Sequence, residues 1–274
     1  MKPSSKILLA MLILLVSGLL MSNMVLKKEY NRIDKSDLYW NYTSVFSQPF
    51  KYLKIDGGND TRIAFEQSKN YSVRVLNDWK RGHPQLLQPV VKNDTLFIKF
   101  VYKPANPSEK SWMKSTNLVR IFSPGILSVQ GFNTNFGMFK IKQKSISVSM
   151  SGKSIFELES MIPEMDSINV VQRDSAEVEF EMSPDYRSAK SKDTVLNKSI
   201  QISFGDNQPT SHSGSDPVKS DESMTIHSVK ADLTGHTILD IGHAQIQLTQ
   251  LHISDSSAIV LSGGALANMG KLKQ

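Results

Sequence analysis

From Ile7 to Leu26 the chain reads ILLAMLILLVSGLLMSNMVL, 20 residues without a charge. A helix of about 20 apolar residues spans the hydrocarbon core of a bilayer. The run is apolar on every face, whereas a helix at the edge of a soluble core keeps a polar side. It exceeds the roughly 7–15 residues of a cleaved leader, and its one small-x-small exit, Val16-Ser17-Gly18, falls in mid-run. The pattern predicts an uncleaved transmembrane anchor, with the bilayer contacted by residues 7–26 inside an N-terminal segment of residues 1–28. A linker, residues 29–49, follows and contains Tyr30, Tyr39, Trp40 and Tyr42, which suit a membrane-interface belt. Beyond it the pattern changes to short alternating runs. Tyr52-Leu53-Lys54-Ile55, Tyr71-Ser72-Val73-Arg74-Val75, Leu96-Phe97-Ile98-Lys99-Phe100 and Ile200-Gln201-Ile202-Ser203-Phe204 are apolar at every second position, bounded by Gly, Asn, Asp or Pro. Period two predicts strands with one buried face, so residues 50–274 are expected to be all-β.

The strands repeat. Ile146 to Leu158, ISVSMSGKSIFEL, and Val229 to Ile241, VKADLTGHTILDI, agree without a gap at Ser/Thr, Gly, Ser/Thr, Ile, a large apolar residue, an acid and a final aliphatic. Weaker copies centre on Asp174, Asp255 and Asn59. Gly, Asp and Asn tolerate the bend between strands, so each unit is expected to be strand, tight corner, strand. Gly152 to Asp174 is 22 residues and Gly235 to Asp255 is 20, a spacing that fits coils stacked in a solenoid. The 61 residues from Asp174 to Gly235 leave room for three coils, or for two and an insertion. Gln208 to Ser223, QPTSHSGSDPVKSDES, is almost free of apolar residues and is expected to be a flexible insertion, residues 208–223. A bare terminal coil is an aggregation liability, so caps are expected at Asn268–Gln274 or at the strands near Leu53.

The polar corner followed by an alternating strand, SGKSIFELES and TGHTILDIGH, resembles the auto-transporter adhesin "head GIN" domain family. So does FKYLKIDGGNDTRIAFEQSKNYSVRV, with its strand, glycine-rich corner and return strand. The resemblance covers roughly residues 50 to 268. It implies a right-handed parallel β-helix on a bacterial envelope protein of undetermined role, with no catalytic residues to carry over. Together with the anchor, it places the chain at the bacterial inner membrane as a single-pass protein with its C-terminal domain in the periplasm; export to the cell surface is the alternative.

Composition narrows the chemistry. The chain has 274 residues and a net charge of +6, but its 32 basic residues form no run, and no nucleic-acid partner is expected. With no cysteine, thiol nucleophiles, thiolate metal sites and disulfides are excluded. Gly152-Lys153-Ser154 lacks the glycine five residues earlier that a phosphate loop needs, Ser147 standing there, and is read as a repeat corner. His227, His236, His243 and His252 fall close together but at polar positions, without metal-ligand spacing. No metal or cofactor is therefore expected. Asp174, Glu177, Glu179, Glu157, Glu159, Asp240 and Asp255 are the carboxylates a polysaccharide-active enzyme would need, and equally what a solvated strand face displays. Trp79, Trp112, Phe132 and Phe136, with Phe139, lie in or near Gly/Pro/Asn-rich segments. They are the candidate binding surface, set against the alternative of capping the core. The expected function is adhesion, scaffolding or binding of an envelope protein or polysaccharide, without catalysis. Two rivals are the polysaccharide-active enzyme and a regulatory partner of another membrane protein acting through the anchor or residues 27–48.

Overall fold

The computed structural model describes residues 3–83, 87–182, 224–242 and 244–261, so the insertion 208–223, the tail 268–274 and His243 lie outside the described residues. The chain divides into two units, Met1–Thr43 and Ser44–Gln274. In the first, helix α1 spans Pro3–Arg32. Its segment Ile7–Arg32 has the length and hydropathy, 2.3, of a membrane span, and none of it is buried in protein. The helix runs through Lys27 and Lys28 and ends with an exposed Glu29–Arg32 ion pair of 2.7 Å. Tyr39 and Tyr42 then pack edge to face, 6.1 Å between centroids.

The second unit is built from two open sheets. The strands are β1 (Tyr42–Phe46), β2 (Tyr52–Gly57), β3 (Arg62–Gln67), β4 (Ser72–Leu76), β5 (Val90–Lys92), β6 (Thr95–Phe100), β7 (Asn117–Ser123), β8 (Ser128–Phe132) and β9 (Asn135–Ile141). They continue as β10 (Ser145–Ser151), β11 (Ile155–Ser160), β12 (Glu164–Gln172), β13 (Glu177–Met182), β14 (Thr225–Leu233), β15 (Ile238–Asp240), β16 (Gln245–Ile253) and β17 (Ala258–Val260). Short helices α2 (Asn77–Gly82) and α3 (Pro107–Ser115) interrupt the early strands. α3 is started by Pro107 at its first turn and by the Asn106 side chain, which accepts from the Glu109 amide at 2.8 Å.

Strands alternate between the sheets from β8 onward, and from β10 each pairs in parallel with the strand two before it. The nine-stranded sheet has the order β1-β4-β7-β3-β9-β11-β13-β15-β17, and the eight-stranded sheet β16-β14-β12-β10-β8-β2-β6-β5. Inward residues consequently stack in columns. Leu96, Leu53, Val129, Val148, Val170, Ala231 and Leu251 form one in the eight-stranded sheet. Ile63, Phe136, Phe156, Val178, Leu239 and Ile259 form another across the core. Buried polar side chains stand among the inward positions as well: Gln172, fully buried, donates to the carbonyls of Ala176 (3.0 Å) and Ile238 (2.9 Å) and so ties the two sheets together.

The corners explain the repeat. Gly152 (φ 68°), Asp174 (φ 64°) and Gly235 (φ 87°) all adopt the left-handed conformation that the anchor positions demanded. They sit side by side: the Gly152 amide donates to the Asp174 carboxylate at 2.9 Å, and the His236 amide to the Asp174 carbonyl at 2.6 Å. Asn133 (φ 48°) is a fourth such corner, its side chain accepting from the Lys153 amide at 2.9 Å.

Four expectations need correction. First, the sheets are mixed: β4 is antiparallel to β7 and β5 to β6, so the wholly parallel arrangement is not met. Second, no coil intervenes between Asp174 and Gly235, because β14 pairs directly with β12 and β15 with β13. Third, the left-handed residues of the N-terminal corner are Gly57 (φ 90°) and Gly58 (φ 93°), while Asn59 lies in the turn that follows them. Fourth, Leu53 does not cap the stack, since β2 lies between β6 and β8. The pair β2/β3 is inserted between β6/β7 and β8/β9, so the chain order and the stacking order differ there.

Candidate functional site

The outer face of the eight-stranded sheet is where exposed rings and polar groups meet. Tyr52 is 39% exposed, Phe97 39% and Phe132 48%, on three adjacent strands. Register fixes their neighbours. Phe97, Lys54, Gln130 and Ser149 form one cross-strand row, and Lys99, Asp56, Phe132 and Ser151 the next. Between them lies a shallow depression of about 390 Å³, lined by Lys54, Asp56, Gln130, Phe132, Ser149 and Ser151 with the backbone-level residues Ile55 and Gly131. Gly131 occupies an inward position of β8. A Cβ there would meet the Met150 sulfur at 2.5 Å, so the methionine fills the core beneath it. Further along the same face, hydroxyls and amides repeat from strand to strand: Ser167 donates to Ser145 at 3.0 Å, and Asn169 to Ser147 at 3.2 Å.

Of the candidate aromatics, only Phe132 belongs to this surface. Trp79, in α2, is 3% exposed and stacks on Phe100 (5.3 Å) and His83 (5.2 Å). Phe136 is fully buried and packs against Phe156 at 5.9 Å. Both therefore serve the core. Trp112 is 41% exposed on α3, away from the depression-lining strands. Phe139 folds over Gly137 on the other sheet, with the Arg62 guanidinium 4.9 Å from its ring. Tyr52 and Phe97 were missed among the candidates, although a signal was present. Each occupies a polar-face position in an otherwise alternating strand, where an aromatic ring has no core to fill.

The carboxylates gather on the opposite sheet. Register places Glu157, Glu179 and Asp240 in one row and Glu159 with Glu181 in another. Burial, and then the neighbouring carboxylates Glu181, Glu157 and Asp240, push the Glu179 carboxyl above the usual range. Glu157 is held by an ion pair with Arg62. Like charges directly across strands destabilise a sheet. Asp174 is a corner residue, and Asp255 lies in a turn.

Among the described residues no three His, Asp or Glu side chains are grouped to hold a metal ion. His252 lies 3.1 Å from Asp232, which Arg173 binds at 2.6 Å; that hydrogen bond, and then His252, hold the Asp232 carboxyl below the usual range. His227 instead meets Gln247 at 2.8 Å, and His236 is exposed.

No family model matches the chain, and no curated protein matches it. Among solved structures, a "putative adhesin" from Bacteroides fragilis aligns at 12% identity over 81% of this chain and 96% of its own, with a TM-score of 0.37. A "putative lipid binding protein" from Parabacteroides distasonis aligns at 12% identity over 81% and 94%, TM-score 0.33. A "putative adhesin" from Parabacteroides merdae aligns at 13% identity over 81% and 95%, TM-score 0.32. These scores lie below the level that defines a shared fold.

Proposed function

We propose that this chain is a non-catalytic binding protein of the bacterial envelope. Its β-unit is a right-handed β-helix held in the periplasm by α1, and it grips an extended polysaccharide on the outer face of the eight-stranded sheet. The observation that carries this reading is the set of three exposed rings on adjacent strands, Tyr52, Phe97 and Phe132, of which Phe132 lines the depression. Ring faces match the C–H faces of sugar rings, and Lys54, Gln130, Ser149 and Ser151 supply hydrogen bonds to hydroxyls around them. A shallow, extended face favours a polymer that makes many weak contacts over a small molecule that needs enclosure.

The carboxylate row is the observation that favours the rival, an enzyme acting on polysaccharide. Glu179 has the raised carboxyl that a general acid needs, but its row neighbour Glu157 is neutralised by Arg62 and sits on a flat strand face.

Co-sedimentation with purified peptidoglycan and with capsular polysaccharide tests the binding reading. The parent protein is expected to pellet with one of them. Replacing Phe97 and Phe132 together by alanine is expected to weaken that binding at least about tenfold, as loss of two ring anchors does. Undiminished binding by the double variant would remove this face from consideration.

A further inference from the structure

The two ends of the stacked sheets are finished differently. At one end the eight-stranded sheet closes with β5, three residues long, antiparallel, preceded by Pro89 and ending in Lys92. Those are the devices that blunt an edge. At the other end the last described strand is β16, QIQLTQLHI, nine residues long with no Asp, Glu, Lys or Arg. Its core positions are incompletely covered. Ile226, Ala231 and Leu233 of β14 are at most 2% exposed, whereas their β16 partners Ile246 and Leu251 are half-buried and Ile253 is 42% exposed. Leu248 (54%) and Val260 (43%) extend the same apolar rim.

We propose that the β16 edge is a self-association surface, on which a second copy of this chain pairs its own β16 in antiparallel register about a two-fold axis. The strand's lack of charge is the reason to choose a second copy. Identical edges bearing lysine or glutamate would repel each other, whereas this one needs only backbone hydrogen bonds and apolar cover, both of which a copy supplies. The inward/outward pattern is self-complementary as well. With Leu251 on the axis, Thr249 faces Ile253 and Gln250 faces His252, so core-side residues meet core-side residues and outer residues meet outer ones. Because, among the described residues, only one end of the stack is open in this way, the contact is isologous and closes as a dimer instead of growing into a filament. The surface is separate from the sheet face proposed for ligand binding, and neither reading depends on the other.

The test uses the full-length protein in detergent, with its mass read by light scattering after size exclusion. The parent is expected to be a dimer. Leu251→Lys places two ammonium groups together at the axis and is expected to give monomer. Gln250→Lys, on the outer side of the strand where folding is not at stake, is expected to raise the dimer dissociation constant at least about tenfold, with an unchanged circular dichroism spectrum. The absence of native cysteine permits a register check: copies carrying Gln250→Cys should cross-link to copies carrying His252→Cys more readily than to copies carrying Gln245→Cys. A monomeric parent, or a dimer that survives both lysine variants, overturns the proposal. So does a dimer that forms only after residues 262–274 are removed, since the chain's own C-terminus would then be the occupant of the edge.

Discussion

Phe156→Ala is expected to lower the stability of the β-unit by about 3–5 kcal/mol, the range for removing a fully buried aromatic ring. Phe156 has no exposed surface and stands in the middle of an aromatic spine, 5.9 Å from Phe136 and 6.3 Å from Phe180. Its backbone is held by parallel pairing on both sides, to β9 and to β13, so the coils cannot close over the space left behind. The cost should therefore fall at the upper end of that range. Urea unfolding followed by circular dichroism measures it. Phe156→Leu, which keeps most of the volume, is expected to recover more than half of the loss.

Gly235→Ala should have the second largest effect, roughly 2–5 kcal/mol, for two independent reasons. At φ 87° an alanine carries the left-handed penalty, about 1–2 kcal/mol. Its Cβ would also lie 2.5 Å from the Asp174 carbonyl oxygen and 2.9 Å from the Asp174 nitrogen, and overpacking of this kind costs about 1–3 kcal/mol. Both contacts are to backbone of the next coil, and that coil is fixed by the His236 amide bond to the same carbonyl, so rotamer change gives no relief. Gly82→Ala is the matched comparison. Nothing lies within 4 Å of a Cβ there, and Gly82 ends α2, so alanine should be neutral or slightly stabilising. The contrast between the two glycines, read by thermal denaturation, separates the corner geometry from a general dislike of larger residues.

The repeat was legible because its physics is local. A corner with positive φ selects Gly, Asn or Asp, and alternation marks the inward columns, so Gly152, Asp174 and Gly235 could be aligned from the sequence. What remained hidden was non-local. Nothing in the spacing says that β2/β3 stacks between β6/β7 and β8/β9, because a strand's pattern records which face is buried and not which neighbour buries it. The long interval after Asp174 misled for the same reason: 61 residues of chain equal three coils by arithmetic, yet β12 and β14 are adjacent. Glycine-rich flanks also suggested loop aromatics at Phe136, where the glycine makes room on the outer face for Phe139 while Phe136 points inward. On the candidate site, Phe132 was readable and Tyr52 and Phe97 were overlooked, since strand aromatics were credited to the core by default.

The proposed function requires the β-unit to be tethered by α1 on the outer side of the inner membrane, where an envelope polymer can reach its aromatic face. Protease accessibility of the C-terminal unit tests it most directly, in intact cells, in cells with a permeabilised outer membrane and in spheroplasts, with fragment size read by blotting. The expected result is protection in intact cells, cleavage once the outer membrane is opened, and a full-length band in the membrane fraction of untreated cells. Protection that persists in spheroplasts would place the unit in the cytoplasm and contradict the account.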